Sequence, residues 1–122
     1  MNNLTYTIIE ELIGKTFTEV INNQDEELIF KGETSYKFYH DQDCCEWVKI
    51  EEIHGDLTDL VDTPIVLAEE ASKQECDGEY GDSQTWTFYN FRTIKGTVTV
   101  RWLGSSNGYY SESVDFKQIC KR

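Results

Sequence analysis

The chain has 122 residues, 39% of them hydrophobic, and its 23 acids against 11 bases give a formal charge of −12. That length supports a single domain, 1–122, with enough apolar surface for a core that needs no disulfide. No apolar run approaches the ~18 residues of a membrane-spanning helix, a polyanionic chain repels phosphate backbones, and one proline with eight glycines excludes a low-complexity chain.

Along the chain, Thr7 to Gly14 has the grammar of a short helix. Thr7 stands at an N-cap position, Glu10 follows three residues later, and Gly14 ends the run. Thr16 to Ile21 is rich in β-favouring residues, Asn22 to Asp25 is a turn, and Glu27–Lys31 and Ser35–His40 alternate as a hairpin joined at Gly32-Glu33. Asp41 to Cys45 breaks the alternation as a loop before a strand at Trp47–Ile50. Glu51 to Val61 reads as a short helix or irregular turn, Thr63-Pro64 as a boundary, and Ile65 to Ser72 begins as a strand. Glu75 to Ser83, with two glycines and four acids, reads as a flexible loop. Trp86–Phe91 and Thr97–Trp102 alternate around Lys95-Gly96, and Tyr109 to Phe116 returns after Ser105–Gly108. Trp47, Trp86 and Trp102 are expected in the core. The predicted class is α+β, mainly β: an antiparallel meander with one or two short helices in a single compact domain.

Charge is placed unevenly. Residues 41–62 carry −7, residues 69–82 carry −5, and residues 83–122 carry +4. Such asymmetry suggests a directed field. The opening Met1-Asn2-Asn3-Leu4 has no basic region leading into an apolar stretch, so a cytoplasmic protein with free or metal-bound cysteines is expected.

The densest polar cluster is His40-Asp41-Gln42-Asp43-Cys44-Cys45-Glu46. Zinc favours thiolate and imidazole ligands in tetrahedral sites. His40, Asp43, Cys44 and Cys45 are therefore the candidate ligands of a structural zinc, and where only one of the two cysteines serves, Cys76, His54, a distant carboxylate or water completes the set. No Cys-x-x-Cys pair is present, and one of two adjacent cysteines can equally serve the core. Pairing of Cys44 or Cys45 with His54 would make a nucleophile, but an acidic surround disfavours the thiolate such an enzyme needs. Asn107-Gly108 suits a tight turn, and Tyr109-Tyr110 after it offers contact surface.

The blocks Tyr39–Glu46, Trp86–Tyr89 and Asn107–Val114 together resemble a family of small proteins found widely in bacteriophages and prophages, a domain of unknown function. The resemblance runs from about Glu11 to Ile119. It implies phage origin and one compact, mostly β domain, and it carries no catalytic assignment. Small acidic phage proteins include inhibitors of host defence enzymes, among them anti-CRISPR proteins.

The expected function is that of a phage-encoded acidic interaction protein, not an enzyme. It would act in the cytoplasm of the bacterial host by binding and inhibiting a basic nucleic-acid-handling defence protein of the CRISPR-effector kind. Its expected partner-binding residues are Asp56, Asp59, Asp62, Glu69, Glu70, Glu75, Asp77, Glu79, Asp82, Tyr109, Tyr110 and Glu112. Two alternatives stay open. One is a metal-binding structural or regulatory domain whose acidity serves only solubility, and the other is a small metal-dependent enzyme. Long β edges in the last third leave a homodimer open.

Overall fold

The computed structural model describes residues 8–77, 82–108 and 110–119. Eight strands run β1 (Phe17–Asn23), β2 (Glu27–Gly32), β3 (Ser35–Tyr39), β4 (Trp47–His54), β5 (Leu67–Asp77), β6 (Asp82–Thr93), β7 (Gly96–Ser106) and β8 (Asp115–Ile119). Two one-turn 3-10 helices, η1 (Ile9–Leu12) and η2 (Leu57–Leu60), complete the described elements. The strands form two antiparallel four-stranded sheets, in the orders β1-β2-β3-β8 and β4-β7-β6-β5. The mainly β, antiparallel reading of the sequence therefore holds, with its hairpins shared between two layers.

Alternation sends one face of each sheet inward. Leu28, Phe30, Tyr36 and Phe38 from the first sheet meet Tyr89, Phe91, Val98, Val100 and Trp102 from the second, and all are buried. Aromatic rings join the layers. Phe30 meets Phe91 at 5.2 Å and Phe38 meets Tyr89 at 4.6 Å between centroids, both within the range where ring pairs attract beyond mere burial. Of the three tryptophans, only Trp102 is in this core. Trp47 is exposed, and Trp86 lies half-buried on the outer face under the Arg101 guanidinium, 4.9 Å from the ring centroid. The reason is register: Trp86 pairs with Leu103 and Trp47 with Ser105, positions that alternate out of phase with the buried Trp102.

Four expectations need correction. The first helix shrinks to four 3-10 residues capped at Ile8 without a side-chain bond, and Thr7 lies outside the described residues. It stops because Ile13 bridges Ile65 and the Gly14 N–H, at φ +90°, donates to the Ile65 carbonyl at 2.7 Å. The strand after the cysteine loop continues through Ile53 to His54, past a bulge near Glu51. The stretch 75–83 is strand at both ends: Glu75, Cys76 and Asp77 pair with Gln84, Ser83 and Asp82, so ladder bonds override a local composition suited to a loop. The last strand begins only at Asp115, because the segment 110–114 is drawn inward across β7.

Candidate functional site

The loop between β3 and β4 is organised around one buried carboxylate. Glu46 is 3% exposed and leads into β4, so its side chain turns back under the loop. Its Oε2 accepts the Asp43 N–H at 2.8 Å and its Oε1 accepts the Cys44 N–H at 2.9 Å. The His40 Nε2 lies 2.7 Å from Oε2, with the histidine side chain 4% exposed. The other ring nitrogen, Nδ1, lies 2.8 Å from the Ser113 carbonyl, which can only accept. The imidazole is thus held between a carboxylate at one ring nitrogen and a carbonyl at the other. The His40 bond is the largest influence holding the Glu46 carboxyl down to about 2, ahead of the opposing effect of burial and the added backbone N–H bonds. Gln42 closes the loop by donating Nε2 to the carbonyls of Cys44 and Glu46.

A second buried carboxylate stands beside it. Glu112 is 7% exposed. Its Oε1 accepts the hydroxyls of Ser83 at 3.1 Å and Thr85 at 2.7 Å, and its Oε2 accepts that of Ser106. Glu112 was expected on the partner-binding surface. It belongs instead to the interior, because three hydroxyls from β6 and β7 replace its water. Gly104 makes this possible: a Cβ there would stand 2.5 Å from the Glu112 carbonyl oxygen. The segment 110–113 thus lies over β7 and presents the Ser113 carbonyl to His40. The Asp41 N–H donates to Asp115 at 3.0 Å, tying the loop to β8 as well.

The structure thereby brings together the Tyr39–Glu46 and Asn107–Val114 blocks, with Thr85, next to Trp86, at the same point. Residues 10–116 match the family described as Domain of unknown function (DUF7448). The chain belongs to that family. No curated protein and no solved structure matches it. Family membership thus covers nearly the whole chain and leaves the chemistry to the residues themselves.

Of the four expected zinc ligands, Cys44 and Cys45 are joined to each other as a disulfide, both exposed. The structure thus holds a disulfide at the two positions where free or metal-bound thiols were expected. A disulfide offers no thiolate, both ring nitrogens of His40 are engaged, and Asp43 is exposed. Among the described residues, no group of three or more His, Cys, Asp or Glu side chains gathers as a metal site. His54 is at the far end of β4 and pairs with Glu52 at 2.9 Å. It lies nine positions along the chain from Cys45, roughly 30 Å if extended, so the thiol–imidazole pairing with His54 does not form. Cys76 is free and exposed on β5, three strands across the sheet from β4, or about 14 Å.

The expected partner-binding acids divide into groups. Asp56 caps η2 by accepting the Thr58 N–H and hydroxyl at 3.0 and 2.8 Å, which lower its carboxyl below the ordinary range. Asp59 lies against Gly96, and Asp62, at φ +63°, donates its N–H to the Phe17 carbonyl at 2.8 Å. These three sit at the β6–β7 turn. Glu69, Glu70 and Glu75 are exposed on β5, an edge strand, and Asp82 is exposed at the start of β6. Asp77 ends β5 opposite Asp82. β6 has 12 residues, about 40 Å of strand, so the turn acids and Asp82 stand at opposite ends of one sheet. Tyr110 is half-buried, and Glu79 and Tyr109 lie outside the described residues.

One acidic feature was missed from the sequence. Between η1 and β5 lies a cleft of about 460 Å³ lined by Ile9, Phe38 and Phe116, with Glu10 and Glu70 at its sides. Although Glu70 is exposed overall, partial desolvation of its carboxyl against the cleft raises it, the Tyr89 hydroxyl at 3.5 Å opposes that rise, and the negative charge of Glu10 adds to it. Two like charges are held together there over aromatic rings. The only sequence signal was the Glu10-Glu11 pair beside the isoleucines, and nothing local announces its distant partner. No helix among the described residues is long and apolar enough to cross a membrane.

Proposed function

We propose that this protein is an acidic interaction protein that binds a basic, nucleic-acid-handling protein and blocks its nucleic-acid surface. The observation that carries the reading is the cleft at the β5 edge. Its aromatic floor suits the aliphatic stem of an arginine or lysine, and Glu10 and Glu70 suit the cationic head. Glu69 and Glu75 continue the negative charge along the exposed edge strand. Opposite potentials speed encounter and fix orientation. A bacteriophage source and a host defence target of the CRISPR-effector type accord with the size and charge of the chain and with its resemblance to phage proteins.

The test is capture from a bacterial host lysate at low and high salt, followed by purification of the bound protein. The expected result is a basic protein that is released at high salt, is displaced from this chain by duplex DNA, and is lost on Glu70→Lys with Glu10→Lys. A partner whose binding ignores salt, DNA and both charge reversals would overturn the reading.

A second reading rests on the adjacency and exposure of Cys44 and Cys45. Once reduced, the two thiols beside Asp43 would offer ligands to zinc, with the acidity serving solubility. Stoichiometric zinc on the reduced protein, lost in Cys44→Ser, supports this reading. Dialysis that leaves the reduced protein without zinc counts against it.

A further inference from the structure

The Cys44–Cys45 pair occupies an unusual position. Its sulfurs belong to two exposed residues of a loop whose backbone is otherwise fixed by the buried Glu46, His40 and Gln42. An external thiolate can reach the disulfide without unfolding anything. The charge around it is mainly negative. Asp41 and Asp43 are exposed next to it, Asp115 is tied to the Asp41 N–H, and the Glu46 carboxylate is buried beneath the loop against His40. The lysines of β3 and β8, Lys37 and Lys117, sit over the Tyr39 ring at 4.9 and 5.1 Å, Lys37 is paired with Glu27 at 2.9 Å, and Lys49, exposed on β4, is the lysine nearest the pair in sequence.

We propose that Cys44 and Cys45 form a reversible dithiol–disulfide site, opened by cationic thiols or protein-borne dithiols and shielded from small anionic thiols by its carboxylates. In the exchange, a reductant thiolate attacks one sulfur, the Sγ–Sγ bond breaks, and the other cysteine leaves as a thiolate. A second thiol then displaces the first cysteine, from the same molecule for a dithiol and from a second molecule for a monothiol such as cysteamine. The reductant ends as its own disulfide, two electrons have passed to the pair, and its two protons finish on Cys44 and Cys45. The acidic surround disfavours both the released thiolate and an approaching anion. Three carboxylates within a Debye length separate reductants by charge rather than size.

The intact protein is reduced by cysteamine or by mercaptoacetate, with each rate referred to the same thiol acting on an uncharged small disulfide. Mass spectrometry after alkylation reads the state of the 44–45 pair. At low salt, cysteamine is expected to be favoured roughly tenfold, with the preference collapsing at high salt. Asp41→Asn with Asp43→Asn should flatten it, since both side chains are exposed. Re-oxidation should restore the bond without dimer formation. Thiols that stay alkylatable after oxidation overturn the proposal, as do equal normalised rates for the two reductants.

Discussion

Gly104→Ala is the most informative single perturbation of this fold. Gly104 lies in β7 and is not among the residues of positive φ. For such a strand glycine, alanine would ordinarily stabilise by about 0.5 kcal/mol, through the unfolded chain. Here the sign reverses. The added Cβ would stand 2.5 Å from the Glu112 carbonyl oxygen, 2.9 Å from its Cβ and 3.1 Å from its Cα. Two of these atoms are backbone and cannot rotate aside, so the 110–113 segment must lift by roughly 1 Å, the cost of an overpacked core being about 1–3 kcal/mol. Lifting also draws Glu112 away from Ser83, Thr85 and Ser106. Weakening those three bonds adds about 2 kcal/mol after the hydroxyls re-solvate. The net loss is about 3–5 kcal/mol, or roughly 10–20 °C in Tm for a chain of this size. Thermal unfolding followed by far-ultraviolet circular dichroism measures it directly. Gly14→Ala is the control: Gly14 is at φ +90° with nothing within 4 Å of a Cβ, so only backbone strain of about 1 kcal/mol is expected. A Gly104→Ala protein that melts within 3 °C of the parent would refute the crossing of 110–113 over β7.

Other expectations are smaller in scope. The folded Glu46 carboxyl, held at about 2, lies below its ordinary value of 4.5, so its contribution is complete above 4.5 and is lost as pH falls toward 2. Amide resonances of residues 40–46 should report that low midpoint, and a midpoint at 4.5 in folded protein would contradict it. Thr85→Ala removes one of three donors to Glu112 and should cost about 1 kcal/mol in urea unfolding, while Thr18→Ala, whose hydroxyl bonds the Lys31 carbonyl on the surface, should cost less. Arg101→Ala uncovers the Trp86 ring and leaves Glu52 with His54 alone, so tryptophan emission should shift to the red with a stability loss of about 0.5–1 kcal/mol. An unchanged spectrum would mean that the guanidinium does not cover the ring in solution.

The strands were legible wherever side-chain alternation and burial coincide, as in Leu28–Phe30, Tyr36–Phe38 and Val98–Val100, because one buried face imposes period two on the sequence. Alternation alone did not say which face of a strand is inner, which is why Trp86 and Trp47 were placed in the core when only Trp102 is there. Stretches whose structure depends on a distant partner were hidden. Glu75–Asp77 extends because β6 pairs with it, and Tyr110–Val114 leaves the strand pattern because Gly104 receives it. The importance of the His40–Glu46 run was visible from its composition. The division of labour within it was not, since Glu46 reads in sequence as one more acid of a negative segment. Its role comes from burial next to an imidazole, which only the fold supplies. Glu112 is hidden for the same reason, with hydroxyls in place of the imidazole.

The two buried carboxylates explain how this sandwich closes where its aromatic core runs out. Phe17, Phe30, Phe38 and Phe91 fill the middle, but at this end β6 and β7 present Ser83, Thr85 and Ser106, too small to reach the other layer. The 110–113 segment fills that space and carries Glu112 to the hydroxyls. A buried carboxylate so placed is solvated by the protein in place of water, and each lost donor then leaves an unmet demand. Its neighbour Ser113 passes the connection to His40 at the end of β3, and Glu46 passes it on to β4. Both sheets are therefore joined through hydrogen bonds that converge on the cysteine loop. Asp115, which holds Asp41, is followed directly by Phe116, which forms part of the floor of the acidic cleft. A change of loop conformation at Cys44 and Cys45 has a covalent route of one residue along β8 from the loop's anchor to that cleft.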